Sequence, residues 1–217
     1  MRLVFIHGFG ETKAVFDHIA DQLPGEHVFV DLWQSLGEGK RPNLNVIDFC
    51  KELIKRHDIR ESDIVIGHSL GGKISHHIKH LQNNRIIQIA SWTDQQKVNF
   101  PVKSEKLLLW LARNGFLFNK ASKKFLLKSY NRPETLPYYE EAFDRLIEAH
   151  KHCSVNQLRL LLAPISKEIV LKPDLRIHAK RDNIIRYPNE SFVEVPGDHF
   201  CLLTHPEEVS DAIKSIL

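Results

Sequence analysis

Ile64–Gly72 has the sequence IVIGHSLGG, in which three β-branched apolar residues run directly into Gly67-His68-Ser69-Leu70-Gly71. Apolar residues at helical spacing follow at once, at Ile74, Ile78 and Leu81. A buried strand, the pattern G-x-S-x-G and a helix together form a sharp turn that presents a serine hydroxyl at the edge of a sheet. We therefore predict that Ser69 is a catalytic nucleophile. The alternative is a glycine-rich turn that contains a serine by chance.

On both sides of this stretch, short apolar strands alternate with amphipathic helices. The predicted strands are Leu3–Ile6, His27–Val30, Ile64–Ile66, Arg85–Ala90, Leu175–Ala179 and Ser191–Val195. This order predicts parallel strands with helices on both faces of the sheet. From Phe100 to about Pro164 only helical patterns occur, which predict helices over Leu107–Phe118, Phe125–Tyr130, Tyr138–His152 and Val155–Leu162. We therefore predict an α/β core formed by residues 1–96 and 170–217, with a helical lid subdomain at residues 97–169.

A nucleophilic serine needs a base within hydrogen-bond reach and an acid that orients this base. His199, in PGDHF after the last strand, is the candidate base, and Asp182, after the strand before, is the candidate acid. Residues that follow the carboxyl ends of parallel strands meet at one edge of the sheet. Asp94 and Asp198 are the alternatives for the acid, and Asp198 is the poorer one because adjacent side chains usually diverge.

The backbone N–H groups of Leu70 and Phe9 are the candidate donors to an oxyanion. Leu70 begins the helix after Ser69, and Phe9 lies in the turn after His7-Gly8. The alternative for this second turn is that it only leads the chain out of a strand. His68, Trp92 and Trp110 are the candidate substrate-binding residues, and packing is the alternative role of such side chains.

Composition limits the classes of partner that we expect. The chain has 217 residues, a net charge of +3 and three cysteines without metal-like spacing, and its calculated pI is about 8.7. These values predict no nucleic-acid partner, a reducing compartment, no metal and no cofactor. No apolar run reaches the ~20 residues of a membrane span, and the apolar start is too short for a signal peptide. We expect a cytoplasmic monomer or homodimer.

The predicted lid is unusually basic. Between Lys97 and Pro133 there are nine lysines and arginines, and the only acid is Glu105. Apolar residues are interleaved with these charges. One interpretation is a lid whose apolar face lines an acyl pocket while its basic face attracts anionic substrates or lipid surfaces. The other is a helix pair packed on the core with solvated lysines outside. The acidic residues that follow could pair with the lysines.

Several of these motifs resemble the α/β-hydrolase superfamily: LVFIHGFG at Leu3–Gly10, IVIGHSLGG, the Asp182 loop, and PGDHF with HPEEVSDAI at Pro196–Ile213. The resemblance covers about residues 1–93 and 175–217. It implies an α/β-hydrolase fold with a mainly parallel sheet of about six strands, an inserted helical lid, and a Ser-His-Asp mechanism. The sequence departs from the superfamily in one respect. Members usually have two strands before the His-Gly loop, whereas here that loop follows the first strand. The strand before His7 should then lie beside the strand before Ser69.

The function that these observations predict is a serine hydrolase that cleaves a carboxylic ester or thioester through an acyl-enzyme. One alternative keeps the triad but acts as a C–C hydrolase or lyase on a carboxylated substrate. It would need cationic groups over Ser69, for which Arg113 and the lid lysines are candidates. The other alternative is a non-catalytic ligand-binding member of the fold.

Overall fold

The computed structural model describes residues 1–100, 102–165 and 171–217, and six parallel strands form a sheet within them. The strands are β1 (Arg2–Ile6), β2 (Glu26–Val30), β3 (Ile64–His68), β4 (Arg85–Ile89), β5 (Leu175–Ala179) and β6 (Val193–Val195). Their order across the sheet is β2-β1-β3-β4-β5-β6, and every neighbouring pair is parallel. The predicted fold class is confirmed. The predicted neighbours are confirmed too, since Ile6 of β1 is in register with Gly67 of β3.

Helices connect the strands. They are α1 (Asp17–Ala20), α2 (Leu32–Leu36), α3 (Val46–Arg56), α4 (Leu70–Gln82), α5 (Glu105–Arg113), α6 (Lys120–Tyr130), α7 (Leu136–Glu148), α8 (Lys151–Leu162), α9 (Cys201–Thr204) and α10 (Pro206–Lys214). Within the described part of the chain, no helix is both long and apolar enough to cross a lipid bilayer.

Strand β3 is buried along its whole length because helices cover both faces of the sheet. Ile64 and Ile66 belong to the apolar cluster on one face, which also contains residues of α1 and α10. Val65 belongs to the cluster on the other face, with residues of α3 and α4. Successive side chains of a strand point to opposite faces, so a strand in this position needs apolar residues throughout. This explains the unbroken IVI.

The turn from β3 into α4, which we call the elbow, is sharp and strained. Ser69 has φ 50° and ψ −117°, a backbone conformation that residues other than glycine rarely adopt. Gly71 lies so close to the end of β1 that a Cβ there would overlap the Ile6 carbonyl group. A Cβ at Gly67 would likewise overlap the backbone of Gly71 and Gly72. The glycines therefore allow the close approach that the turn requires, and Ser69 carries the strain.

We expect Gly71→Ala to destabilise the protein by at least ~3 kcal/mol, because relieving the overlap with Ile6 would require β1 and α4 to move apart. Urea unfolding followed by circular dichroism measures this loss. Gly39→Ala is the matched control, since a Cβ at Gly39 meets nothing within 4 Å. Equal unfolding midpoints for the two variants would contradict the close approach described above.

Helices α5–α8 form a helical insertion between β4 and β5. The sequence prediction placed a helix over Leu107–Phe118, but α5 spans Glu105–Arg113. The Ser104 hydroxyl caps its start, and Asn114 followed by Gly115 at φ 78° ends it. The predicted boundaries of the lid subdomain remain a prediction, and its end at residue 169 lies outside the described residues.

Ion pairs and a buried lysine hold the helical insertion together and fix it to the core. Lys123 of α6 pairs with Glu140 at 2.7 Å and Asp144 at 2.6 Å on α7, which confirms the expected pairing of lysines with the later acids. Lys73 of α4 donates to the carbonyl oxygens of Leu160, Leu161 and Ala163 at the end of α8. Burial lowers the pKa of Lys73 to about 7. The elbow helix is therefore bonded directly to the last helix of the insertion.

Candidate active site

Three side chains from distant parts of the sequence form a continuous hydrogen-bonded chain. Ser69 Oγ lies 3.0 Å from His199 Nε2, and His199 Nδ1 lies 2.9 Å from Asp182 Oδ2. Ser69 directly follows β3, Asp182 lies in the loop after β5, and His199 lies in the loop after β6. Parallel strands bring these three loops to the same edge of the sheet. This is the geometry of a nucleophile, a base and an orienting acid.

Asp182 is the carboxylate that contacts His199. Its Oδ1 accepts hydrogen bonds from the N–H groups of Ile184 and Ile185, both at 2.8 Å, and its side chain is fully buried. Burial alone would raise the pKa of Asp182, but the charge and hydrogen bond of His199 hold it below its usual value. Asp94 is exposed and accepts from the N–H of Gln96.

Asp198, like Asp94, forms its hydrogen bonds with residues other than His199. Its Oδ2 accepts a hydrogen bond from the Thr135 hydroxyl at 2.5 Å, and its Oδ1 accepts from the Phe200 N–H at 3.1 Å. Its side chain is thereby directed toward α7, away from the imidazole of the neighbouring His199. Of the three carboxylates considered from the sequence, the structure brings only Asp182 into hydrogen-bond contact with His199.

The surroundings of His199 favour its protonated form. Burial disfavours the imidazolium, but the Asp182 carboxylate and its hydrogen bond, with Glu11 and Asp198 further away, raise the pKa of His199 above the usual 6.5. A general base acts in its neutral form. A higher pKa therefore moves the acidic limb of an activity profile to a pH above 6.5.

The N–H groups of Leu70 and Phe9 are the predicted donors to an oxyanion. Leu70 is the first residue of α4, where the N–H groups have no partner within the helix. Phe9 lies between two amides with side-chain partners, since the Gly8 N–H donates to Glu11 and the Gly10 N–H donates to Gln157. Among the hydrogen bonds found in the described residues, none uses the Phe9 N–H.

Glu11 and His68 form a buried hydrogen-bonded pair, and the sequence does not predict this contact. Glu11 Oε2 accepts from the Gly8 N–H at 2.6 Å and lies 2.9 Å from His68 Nδ1. The other ring nitrogen, His68 Nε2, lies 2.9 Å from the backbone oxygen of His199. Both ring nitrogens of His68 are therefore bonded to oxygen atoms of the protein, which fixes the orientation of the ring. The pair therefore links the Gly8 turn, the elbow and the base loop.

The electrostatics of Glu11 agree with a carboxylate in this pair. Burial alone would raise its pKa, but the His68 charge and hydrogen bond, helped by the Gly8 N–H, hold the pKa of Glu11 below its usual value. The signal in the sequence was an acid four residues after His7, within the glycine-rich turn. An acidic residue in a turn is ordinarily exposed, so this signal was weak.

We expect Glu11→Gln to lower kcat/KM about tenfold, since one hydrogen bond to a charged group contributes ~1.5–3 kcal/mol. Because Glu11 also raises the pKa of His199, its loss should move the acidic limb of the pH profile to lower pH. A pH–activity profile measures both effects. Glu61→Gln, at an exposed acid, is the control and should change neither. An unchanged acidic limb in Glu11→Gln would contradict the coupling.

Ser69 and His199 line a cavity of about 320 Å³ between the sheet edge and the helical insertion. Most of the other lining side chains are apolar or aromatic, and they include Phe9, Trp92, Val98, Leu108, Leu117, Phe118, Leu126, Phe143, Leu146, Leu158, Leu161, Ile184 and Ile185. The polar lining residues include Asn99, Ser129, Tyr139 and Asn183. No lysine or arginine belongs to the lining formed by the described residues.

The three candidate substrate-binding residues have different positions. Trp92 lines the cavity, and its Nε1 donates to Gln95 Oε1 at 3.0 Å. Trp110 does not line it; its ring is exposed on α5 and stacks on Phe116 with the ring centroids 5.7 Å apart. His68 is fully buried beneath the elbow, where both ring nitrogens are bonded to the protein. The Trp92 side chain can therefore contact a ligand in this cavity, whereas the structure does not bring the side chains of Trp110 and His68 to the cavity wall.

The nitrogen and oxygen atoms of Glu11, His68 and His199 that could hold a metal lie within 4.8 Å of one another. Hydrogen bonds already account for this closeness, because Glu11 and His68 are bonded to each other and both His199 nitrogens are bonded within the triad. The cluster is therefore explained as a hydrogen-bonding network. His76 and His80, which lie one turn apart on α4, are not part of it.

Comparisons with known proteins agree with this architecture. The sequence matches the profile of the alpha/beta hydrolase family over residues 3–212. Similar solved structures include an enol-lactonase from Burkholderia xenovorans LB400, which is 13% identical with a TM-score of 0.74, covering 99% of this chain and 90% of that one. A thermophilic esterase from Thermogutta terrifontis is 15% identical with a TM-score of 0.71, covering 100% and 89%.

A carboxylesterase structure from the thaumarchaeon Nitrososphaera gargenis is 19% identical with a TM-score of 0.69, covering 99% of this chain and 89% of that one. A search of curated proteins finds no match. At these identities the solved structures show a shared fold. The family profile covers almost the whole sequence and agrees with the strand order and the elbow, and the chain therefore belongs to the alpha/beta hydrolase family.

Proposed function

We propose that the protein is a serine hydrolase that cleaves a carboxylic ester or thioester through an acyl-enzyme. The observation that carries this proposal is the hydrogen-bonded chain Ser69–His199–Asp182 at the wall of an apolar cavity. Esters and thioesters of apolar acyl groups combine a reactive carbonyl with a chain that such a cavity can bury. We retain the expectations of a cytoplasmic location and of a monomer or homodimer as part of the proposal.

In the proposed mechanism, His199 takes the proton of Ser69 while Oγ attacks the carbonyl carbon. Asp182 holds the Nδ1–H tautomer of His199 and stabilises the imidazolium that forms. The N–H groups of Leu70 and Phe9 donate to the oxyanion of the tetrahedral intermediate. His199 then protonates the leaving alcohol or thiol. Water, deprotonated by the same imidazole, releases the acid from the acyl-enzyme.

The composition of the cavity supports a neutral, apolar acyl group over a carboxylated one. A carboxylate bound over Ser69 would need a cation there, and the described lining contains no lysine or arginine. Arg113, the cation suggested for the C–C hydrolase or lyase alternative, is exposed at the end of α5. The intact triad geometry weighs against the alternative of a non-catalytic ligand-binding protein. We further propose that the helical insertion acts as a lid whose inner side selects the acyl chain.

A panel of p-nitrophenyl esters from acetate to octanoate, with a matching acyl thioester, tests the proposal. Each methylene buried in the cavity contributes ~0.8 kcal/mol, so kcat/KM should rise about fourfold per methylene until the cavity is full. Esters whose acyl chain ends in a carboxylate should be poor substrates. A fluorophosphonate should label Ser69. Labelling without turnover of any ester would favour the alternative of a C–C hydrolase or lyase. No labelling would favour the alternative of a non-catalytic ligand-binding protein.

A further inference from the structure

The outer surface of the helical insertion exposes large aromatic side chains. Trp110 and Phe116 are 53% and 58% exposed and stack on each other, and Phe125 is 70% exposed. Leu107, one helical turn before Trp110, is 44% exposed. Single exposed apolar residues are common, but a stacked aromatic pair left in water needs an explanation. We call the exposed side chains of α5, α6 and the turn between them the outer face.

The outer face is not a part of the core that was left uncovered, because the same helices already have an apolar inner side. Leu108 of α5 and Leu126 of α6 line the cavity, as do Leu117 and Phe118 from the turn between the helices. Helix α5 therefore has apolar side chains toward the cavity and also exposes Leu107 and Trp110 to the solvent, and α6 likewise exposes Phe125. An ordinary surface helix has only one apolar stripe.

The charge of this segment is strongly one-sided. Residues 102–130 contain seven lysines and arginines and one acid, whereas the whole chain has a net charge of only +3. Lys120, Lys124 and Lys128 are all exposed at a spacing of four residues along α6. Like charges at this spacing repel and destabilise a helix. The row therefore slightly destabilises α6 in the isolated protein, and an anionic partner would turn it into a favourable contribution.

We propose that the outer face docks on an anionic lipid surface. Tryptophan side chains prefer the headgroup region of a bilayer, where one side of the ring is apolar and the other is hydrated. Lysines beside them bind the negative surface of anionic lipids. The Trp110–Phe116 pair and Phe125 supply the aromatic side chains, and the α6 lysine row, in which Phe125 lies between Lys124 and Lys128, supplies the charge. Docking of this kind is peripheral, lies outside the triad, and does not depend on the proposed hydrolase activity.

Co-sedimentation with sucrose-loaded vesicles tests the docking. The Ser69→Ala variant is used beside the wild-type chain so that no lipid is hydrolysed. Binding to vesicles of equal phosphatidylglycerol and phosphatidylcholine should be at least tenfold tighter than binding to pure phosphatidylcholine. It should be lost in 1 M salt, where the screening length is ~3 Å. Equal binding to both vesicle types, or no binding to either, would overturn the proposal.

Two variants locate the contact. Reversing three charges in Lys120→Glu, Lys124→Glu, Lys128→Glu should weaken binding to anionic vesicles about 100-fold. The matched control reverses three exposed lysines outside the insertion, in Lys40→Glu, Lys51→Glu, Lys55→Glu, and should retain most of the binding. Equal losses in both triple variants would show a nonspecific charge effect and overturn the outer face as the docking surface.

Trp110 supplies a second, local readout. On docking its fluorescence should shift to shorter wavelength, and this shift should be absent in Trp110→Phe, which leaves Trp33 and the buried Trp92 in place. Light scattering separates a lipid surface from a second copy of the chain: a dimer that the three α6 reversals dissolve, without vesicle binding, would overturn the proposal. Hydrolysis of a soluble ester by the α6 variant should remain at the wild-type rate, so docking and catalysis fail independently.

Discussion

Ser69→Ala is expected to lower kcat for ester hydrolysis by about 10⁴–10⁶-fold, because the proposed acyl-enzyme forms on the Ser69 hydroxyl oxygen. The remaining rate would come from water attack on a substrate still held near the oxyanion donors. The backbone at Ser69 already has φ 50°, and alanine meets the same strain there as serine. We therefore expect the fold to be retained. Steady-state kinetics and circular dichroism measure the two quantities separately.

Ser75→Ala is the matched control for this substitution. Ser75 is a fully buried serine on the same helix, and its hydroxyl donates to the carbonyl oxygen of Gly72, outside the triad. Its loss should cost about 1 kcal/mol of stability and leave kcat within about threefold. If Ser69→Ala retained the wild-type rate, or if a fluorophosphonate still labelled it, another nucleophile would be responsible and the proposed mechanism would be wrong.

The parts of the site that the sequence predicted depend on local rules and on topology. The elbow was predictable because its glycines and its serine are adjacent in the chain, and because the backbone geometry of such a turn permits few residues. The meeting of Ser69, Asp182 and His199 followed from the parallel strands, which place three separate loops at one edge. Neither step required knowledge of side-chain packing.

The parts that were missed depend on packing across the fold. His68 and Trp110 were chosen as substrate contacts for their residue type and place in the chain, but which face of an element meets the cavity is decided by tertiary contacts. The role of Glu11 depends on His68, which is 57 residues away in the sequence, and no periodic pattern predicts this contact. For the same reason the composition of the insertion could not separate the side chains of its inner side from those of its outer face.

Asp182→Asn is expected to lower kcat by about 10⁴-fold with little change in KM, the size of effect seen when a triad acid becomes an amide. An asparagine oxygen could still accept from the Ile184 and Ile185 N–H groups, which leaves the amide nitrogen facing His199 Nδ1. His199 would then place its proton on Nε2 and could not accept the one from Ser69. The same change removes the main cause of the raised pKa of His199, so the acidic limb of the residual activity should move to lower pH.

Asp94→Asn is the variant that makes this test decisive, because the two aspartates follow neighbouring strands, β5 and β4, and both accept hydrogen bonds from their own loops. They differ in that Asp94 is exposed, whereas the Asp182 side chain is fully buried against His199. An acid that only shapes its loop should tolerate the amide, so Asp94→Asn should keep kcat within about twofold. The opposite ranking of the two variants would show that the acid which orients His199 during turnover is Asp94, and that the Asp182 contact serves the fold.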